Sequence, residues 1–320
     1  MSMKRVSLRF LVPRLVWGGL IVAPPACAHV LAVPSNGALS FGWDFEPWVV
    51  LLLGLSLVAY AAGFLRLTAR GGGAARRIRL RQAAAFLAGW FSLLIALCSP
   101  LDTLSGALFS AHMVQHETLM LISAPLCVLG RPLGFWIWAL PHRARLAVGA
   151  AIRSGPFTAG WRTLTAPLAA WVLQAVALWA WHAPWLFEAA LRNAGIHTLQ
   201  HASFLVTSLL FWWSVFGEGA HRQTSGPAML SLFTTMVHTS ALGALISLSP
   251  GLWYPSYVET CSALGVAPLH DQQLGGLIMW VPGAAAYLIG GLTIAGRWLA
   301  GSRSVPWLTQ AGLARRDGVR

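Results

Sequence analysis

Charge is what this sequence has least of. Only 10% of its 320 residues are Asp, Glu, Lys or Arg, where a soluble domain carries about a quarter. A chain that is 57% hydrophobic, with mean hydropathy +0.64, cannot cover itself with a wetted surface. Its natural solvent is lipid. Lysine is nearly missing as well: Lys4 is the only one, so arginine supplies the net charge of +13. In a soluble chain that balance would point to nucleic acid. Here the arginines fall in the short gaps between apolar runs, so no nucleic-acid partner is expected. The four cysteines, Cys27, Cys98, Cys127 and Cys261, form no C-x-x-C pair, which removes a thiol clip or redox motif. H-E-x-x-H is absent because Glu117 follows the second histidine of its pair rather than the first. Without it, a P-loop or G-x-S-x-G, the sequence does not point to a zinc protease, NTPase or serine hydrolase.

What is there is a series of apolar runs. Residues 1–28 read as a signal peptide: Lys4, Arg5, Arg9 and Arg14 precede an apolar stretch, and Ala26-Cys27-Ala28 resembles a cleavage site. A retained first helix is the alternative. A short external segment, 29–45, follows. A span needs about twenty mostly apolar residues, and seven qualify within 46–300: 47–65, 82–99, 107–129, 164–181, 197–216, 228–248 and 273–295. The expected fold is therefore an all-α integral membrane protein, a seven-helix transmembrane bundle in membrane lipid. The connection 131–163 contains a Trp-rich apolar piece too short to span, which suits the interface. Residues 301–320 form a tail.

Arginine placement orients the bundle. Arg66 to Arg81, Arg131 to Arg162, Arg222 and the tail arginines fall on alternate connections. The other connections carry Asp44, Glu46, Asp102, Glu188, Glu259 and Asp271. By the positive-inside rule the N-terminus is outside and the C-terminus inside.

Ionisable residues at membrane depth are expensive and usually functional. His112 and His116 lie four apart on one helical face, and His197 and His201 repeat that spacing. His238 is near mid-span, His182 ends the fourth span, and His270 and Asp271 precede the seventh. Most histidines thus gather in the outer half, drawn from at least four helices. Neutral imidazole is the commonest metal ligand. Glu117 offers an oxygen ligand or an acceptor that orients a ligating ring, and Met113 or Met120 adds softness suited to copper(I). The residue reading puts the core of a metal set at His112, His116, His197, His201 and His238, with Glu117 beside it. Two alternatives stay open: paired histidines on facing helices can ligate haem, and His116, Glu117 and His238 can form a transporter's proton relay.

These residues also carry a resemblance. The stretch Ser110-Ala111-His112-Met113-Val114-Gln115-His116-Glu117, with Leu129-Gly130-Arg131-Pro132, resembles the signature of the polytopic CtaG family. So do Trp181-His182-Ala183-Pro184, His197 with Gln200-His201, and Asp271-Gln272-Gln273-Leu274-Gly275-Gly276. These are bacterial assembly factors for cytochrome c oxidase, distinct from the single-span periplasmic copper chaperone that shares the name. The resemblance implies a seven-helix bundle in a bacterial plasma membrane, oxidase subunits as partners and a role in forming the oxidase's copper-containing centre. It also implies His112, His116, His182, His197, His201, His238 and Asp271 as the site positions. Copper is the expected metal. The cluster argues for holding an ion more than for reacting with it, so no enzymatic activity is expected.

Overall fold

The computed structural model describes residues 42–69, 72–217 and 225–302, and among them there is no strand. The predicted signal segment, Arg222 and nearly all of the tail lie outside the described residues. The helices are α1 (Pro47–Thr68), α2 (Gly73–Cys98), α3 (Pro100–Ser105), α4 (Phe109–Glu117), α5 (Ala124–Leu129), α6 (Pro132–Ala139), α7 (His142–Ile152) and α8 (Gly155–Leu164). They continue with α9 (Pro167–His182), α10 (Pro184–Arg192), α11 (Ala194–Phe216), α12 (Ser225–Ser247), α13 (Val258–Ala263) and α14 (Pro268–Ser302). Helices α1, α2, α11, α12 and α14 are long and apolar enough to cross a membrane. Two bent pairs make seven spans if each pair counts as one: 109–129 with α6, at 57°, and α8 with α9, at 61°. Large apolar side chains such as Leu51, Leu55, Leu168 and Leu248 point outward and are more than 60% exposed. In water such a surface would be a liability; in a multi-pass membrane protein it is the lipid contact.

Proline sets the breaks. Span three was expected as one helix, 107–129. It begins at Phe109 and passes through a π-helical turn, Thr118–Ser123, between α4 and α5. The cause is Pro125, whose ring clashes with the carbonyl four residues earlier. In the wider turn the Ala124 amide bonds to the Leu119 carbonyl. That leaves the Met120 carbonyl to accept the Trp212 indole N–H at 2.9 Å. Span four, expected from residue 164, instead starts after a break. Ala166 precedes Pro167 and is held extended at ψ 136°, as a residue before proline prefers. The segment 131–163 resolves into α6, α7 and α8, entered through Arg131 in the left-handed region at φ 49°.

Aromatic donors and close backbone approaches tie the spans together. The Tyr60 hydroxyl donates to the Gly130 carbonyl at 2.9 Å, and its ring stacks on Phe86. Trp90 and Trp136 donate from their indoles to the Leu53 and Ser56 carbonyls of α1. Arg66 closes the end of α6 by donating to the carbonyls of Trp138, Ala139 and Leu140. At the other end of the bundle α3, α10, the 3-10 turn Pro255–Tyr257 and α13 close over the starts of α4, α11 and α14. Arg192, an arginine at this end, pairs with Glu188 at 2.8 Å. Glu188 also accepts from the Ser256 amide at 3.1 Å, which ties α10 to the turn before α13.

Candidate metal centre

The π turn matters to the site because α4, just before it, carries His112 and His116. Their four-residue spacing stacks the rings on one face, with centroids 4.3 Å apart. The same spacing on α11 places His197 and His201 at 4.1 Å. Helix α9 ends with His182. Five imidazoles from three helices therefore meet at the end of the bundle closed by the short helices. The centroid of His112 lies 5.5 Å from that of His197 and 5.8 Å from that of His201. His116 lies 5.3 Å from His201 and 6.0 Å from His182. All five are at most 8% exposed. The donor nitrogens of His112, His197 and His201 lie within 4.8 Å of one another, the convergence a single ion requires.

Protein groups hold the rings from behind. The Nδ1 of His112 sits 3.1 Å from the Tyr257 hydroxyl and 3.4 Å from the Ser105 carbonyl, which leaves its Nε2 to the cluster. The Nδ1 of His182 is 2.7 Å from the Leu178 carbonyl, and the Tyr254 hydroxyl donates to the His182 carbonyl at 2.9 Å. A metal-ligating imidazole ordinarily has this arrangement, one nitrogen fixed by the protein and the other free. The nitrogens turned from the protein's own groups are conspicuous. His182 Nε2 and both nitrogens of His116 are buried without a hydrogen-bond partner. Gln200 stands against His112 as a side-chain hydrogen-bonding neighbour. Buried polar atoms without partners cost stability, and here they stand where the imidazoles meet.

The other expected site residues stand elsewhere. His238 is half-buried on α12, with its ring edge-on to Trp171 at 5.6 Å; no ring contact joins it to the five among the described residues. Glu117 is turned from the histidine face towards Gly283 of α14 and Thr239 of α12, and both its oxygens are unpartnered. Met113 lies against the Gly275 position of α14. His270 and His142 are exposed. Helix α14 starts five residues before the expected span, so Asp271 lies inside its first turn and serves as a cap on α4. Its oxygens accept from the Phe109 amide at 2.6 Å, the Ser110 amide at 3.3 Å and the Ser110 hydroxyl. A carboxylate at a helix start meets the unbonded amides and the positive end of the dipole. Asp271→Ala should therefore cost about 2 kcal/mol or more and lower Tm by several degrees, while Asp271→Asn keeps part of the cap. Thermal unfolding of the purified protein checks this, and equal Tm values for the wild type and Asp271→Ala would count against the cap.

Cys261 abuts this carboxylate at 3.7 Å. Burial first, and then the neighbouring Asp271, push its thiol up to about 12, so it stays protonated at neutral pH and is a poor ligand. Cys98 and Cys127 are likewise free and buried. The sequence reading quoted Gln200 only as part of a motif and missed Tyr257. Gln200 had a signal, since it lies three residues from His197 on the same helical face. Tyr257 had none, since it reaches His112 across 145 residues of sequence.

Fold and site together define a multi-pass helical membrane protein with a buried histidine centre at one end. The chain matches the cytochrome c oxidase caa3 assembly factor family (CtaG) over residues 58–301, and it belongs to that family. It is 27% identical over 270 residues to the uncharacterized proteins Mb0105 of Mycobacterium bovis and MT0111 of Mycobacterium tuberculosis, covering 80% of this chain and 38% of each relative. It is 25% identical over 254 residues to the uncharacterized protein ML1998 of Mycobacterium leprae, covering 74% of this chain and 36% of that one. The chain thus spans less than two fifths of the length of these relatives. No solved structure matches it.

Proposed function

We propose that this protein is a non-catalytic assembly factor that holds copper for a haem–copper oxidase, with His112, His197 and His201 as the ion's primary ligands. The carrying observation is the convergence of three buried imidazole nitrogens within 4.8 Å. Family membership supplies the oxidase context, and an all-nitrogen site suits copper among the metals a cell offers. Phe204 packs against both His116 and His182, at 4.6 and 5.9 Å. That close packing of an aromatic ring among the imidazoles favours a bare ion over a bulky bis-histidine haem.

On the positive-inside orientation the histidine end faces outward and the arginine end inward, in a bacterial plasma membrane. A cavity of about 240 Å³ bordered by α1, α2 and α11 reaches His197 and His201, with Glu46 and Asp102 also in its lining. It gives the ion a side entrance with acidic groups along it, and an oxidase subunit is the partner to which the ion would pass. The test is copper content and the optical spectrum of protein purified from copper-supplemented cells, for the wild type and for His112→Ala. The expected result is copper in the wild type, its loss in the variant and no Soret band. Equal copper in both preparations would refute the site.

A further inference from the structure

The triad uses three of the five clustered histidines and leaves His116 and His182 over. We propose that these two form a second metal position, a two-coordinate cuprous site between α4 and α9, adjoining the triad. The inference rests on the copper reading above and adds a second ion to it.

The geometry comes first. The centroids of His116 and His182 are 6.0 Å apart. A metal–imidazole bond is about 2.0 Å long, so two nitrogens bridged in line stand about 4 Å apart. Adding roughly 1 Å from each nitrogen to its ring centre puts the centroids about 6 Å apart. The protein already has the spacing that one ion between two rings demands.

The donors are also prepared. His182 has its Nδ1 held by the Leu178 carbonyl, which makes that nitrogen the N–H and leaves Nε2 a lone pair. That Nε2 is buried without a partner, and His116 has neither nitrogen satisfied. The two residues are 1% and 0% exposed. A pair of histidines serving only to join helices would bond to each other or to a carbonyl; here the nitrogens left over have nothing to bond. Phe204 and Phe187 flank His182 at 5.9 and 6.3 Å, an apolar wall that excludes water and further ligands. Cuprous copper tolerates two donors in line, whereas zinc takes four and would be left short.

The position is coupled to the triad. His116 stands 4.3 Å from His112 and 5.3 Å from His201, ring to ring, so an ion leaving the triad meets His116 next. Two adjoining positions of unequal coordination number allow an ion to be passed along histidines without ever being bare. A bare ion in this setting would meet a large desolvation cost.

The test is anaerobic titration of the full-length purified protein with Cu(I) against a chromophoric cuprous chelator, combined with X-ray absorption at the copper edge. The wild type should take two equivalents, with a mean nitrogen coordination between two and three. His182→Leu and His182→Gln should each take one equivalent, with the mean coordination rising to three. His201→Ala should lose the other equivalent. A single equivalent in the wild type, or two that survive both His182 variants, would overturn the second position while leaving the triad intact. Absence of copper from the wild type would overturn the copper reading itself. If either His182 variant fails to elute as a folded species, the wild-type stoichiometry and coordination number decide the question alone.

Discussion

His201→Ala is expected to lower copper affinity by about two to three orders of magnitude. Structural metal sites with four protein ligands contribute about 10–16 kcal/mol in total, or roughly 3–4 kcal/mol per ligand, and each 1.4 kcal/mol is a factor of ten. His201 links the two histidine pairs, with ring contacts to His112, His116 and His197. It is one of the three converging donors, and its ring also stands 5.3 Å from His116. Its removal leaves His112 and His197 on separate helices, one donor short of the converging three. The exposed His270 is the control, and His270→Ala should bind as the wild type does. Competition with a cuprous chelator measures both. An affinity for His201→Ala within threefold of the wild type would mean that the triad is a packing feature. In cells depleted of this protein, the same variant should fail to restore the copper content of the assembled oxidase, and His270→Ala should restore it.

Gly276→Val should be strongly destabilising, costing about 3 kcal/mol or more by overpacking. Helices α12 and α14 meet backbone to backbone. A Cβ at Gly276 would stand 2.5 Å from the Ser247 amide nitrogen and 2.7 Å from the Gly243 carbonyl oxygen. At Gly243 it would meet the Gly276 carbonyl and the Trp280 amide, both at 2.8 Å. These neighbours are main chain, so no side chain can rotate away and the helices must part. In lipid, where apolar burial between helices gains little over contact with lipid tails, close approach through small residues is itself the attraction. Parting α12 from α14 would therefore remove much of what holds them. Gly291→Ala is the comparison: nothing lies within 4 Å of a Cβ there, and it should be neutral or slightly stabilising through helix propensity. The measurement is Tm and folded yield of the three proteins in the same detergent. Equal Tm values for Gly276→Val and the wild type would show that the interface yields more easily than its geometry implies.

The apolar runs and the two H-x-x-x-H spacings were legible because each depends on residues near in sequence. Length and hydropathy placed the seven stretches, and the four-residue period put each histidine pair on one face. What escaped was azimuth, the question of which face turns towards which neighbour. His238 has the depth of a site residue, yet α12 carries it to Trp171 rather than to the cluster. Glu117 is adjacent in sequence to His116, but the helical turn of about 100° per residue directs it towards α12 and α14. Asp271 was expected in the site because its string resembles the family's motif. Only the approach of α14 to α4, which the bare Gly275 against Phe109 permits, shows it to be a cap. Proline was visible at residues 125 and 167, but its effects as a π turn and as a broken helix depend on which carbonyls find other donors.

The reach of Asp271 to the start of α4 also bears on how the protein is made. Segments of a membrane protein leave the ribosome in order, and here the histidines of α4, α9 and α11 all precede residue 271. A nascent chain that has inserted those helices holds all five imidazoles in the bilayer. It still has open amides at Phe109 and Ser110, and α4 lacks the partner that fixes its entry. The ring nearest that end, His112, is also steadied by Tyr257, which emerges late as well. The centre is therefore finished only when the last described span is seated. Incomplete chains would be poor metal traps, and loading would be a property of the finished protein alone.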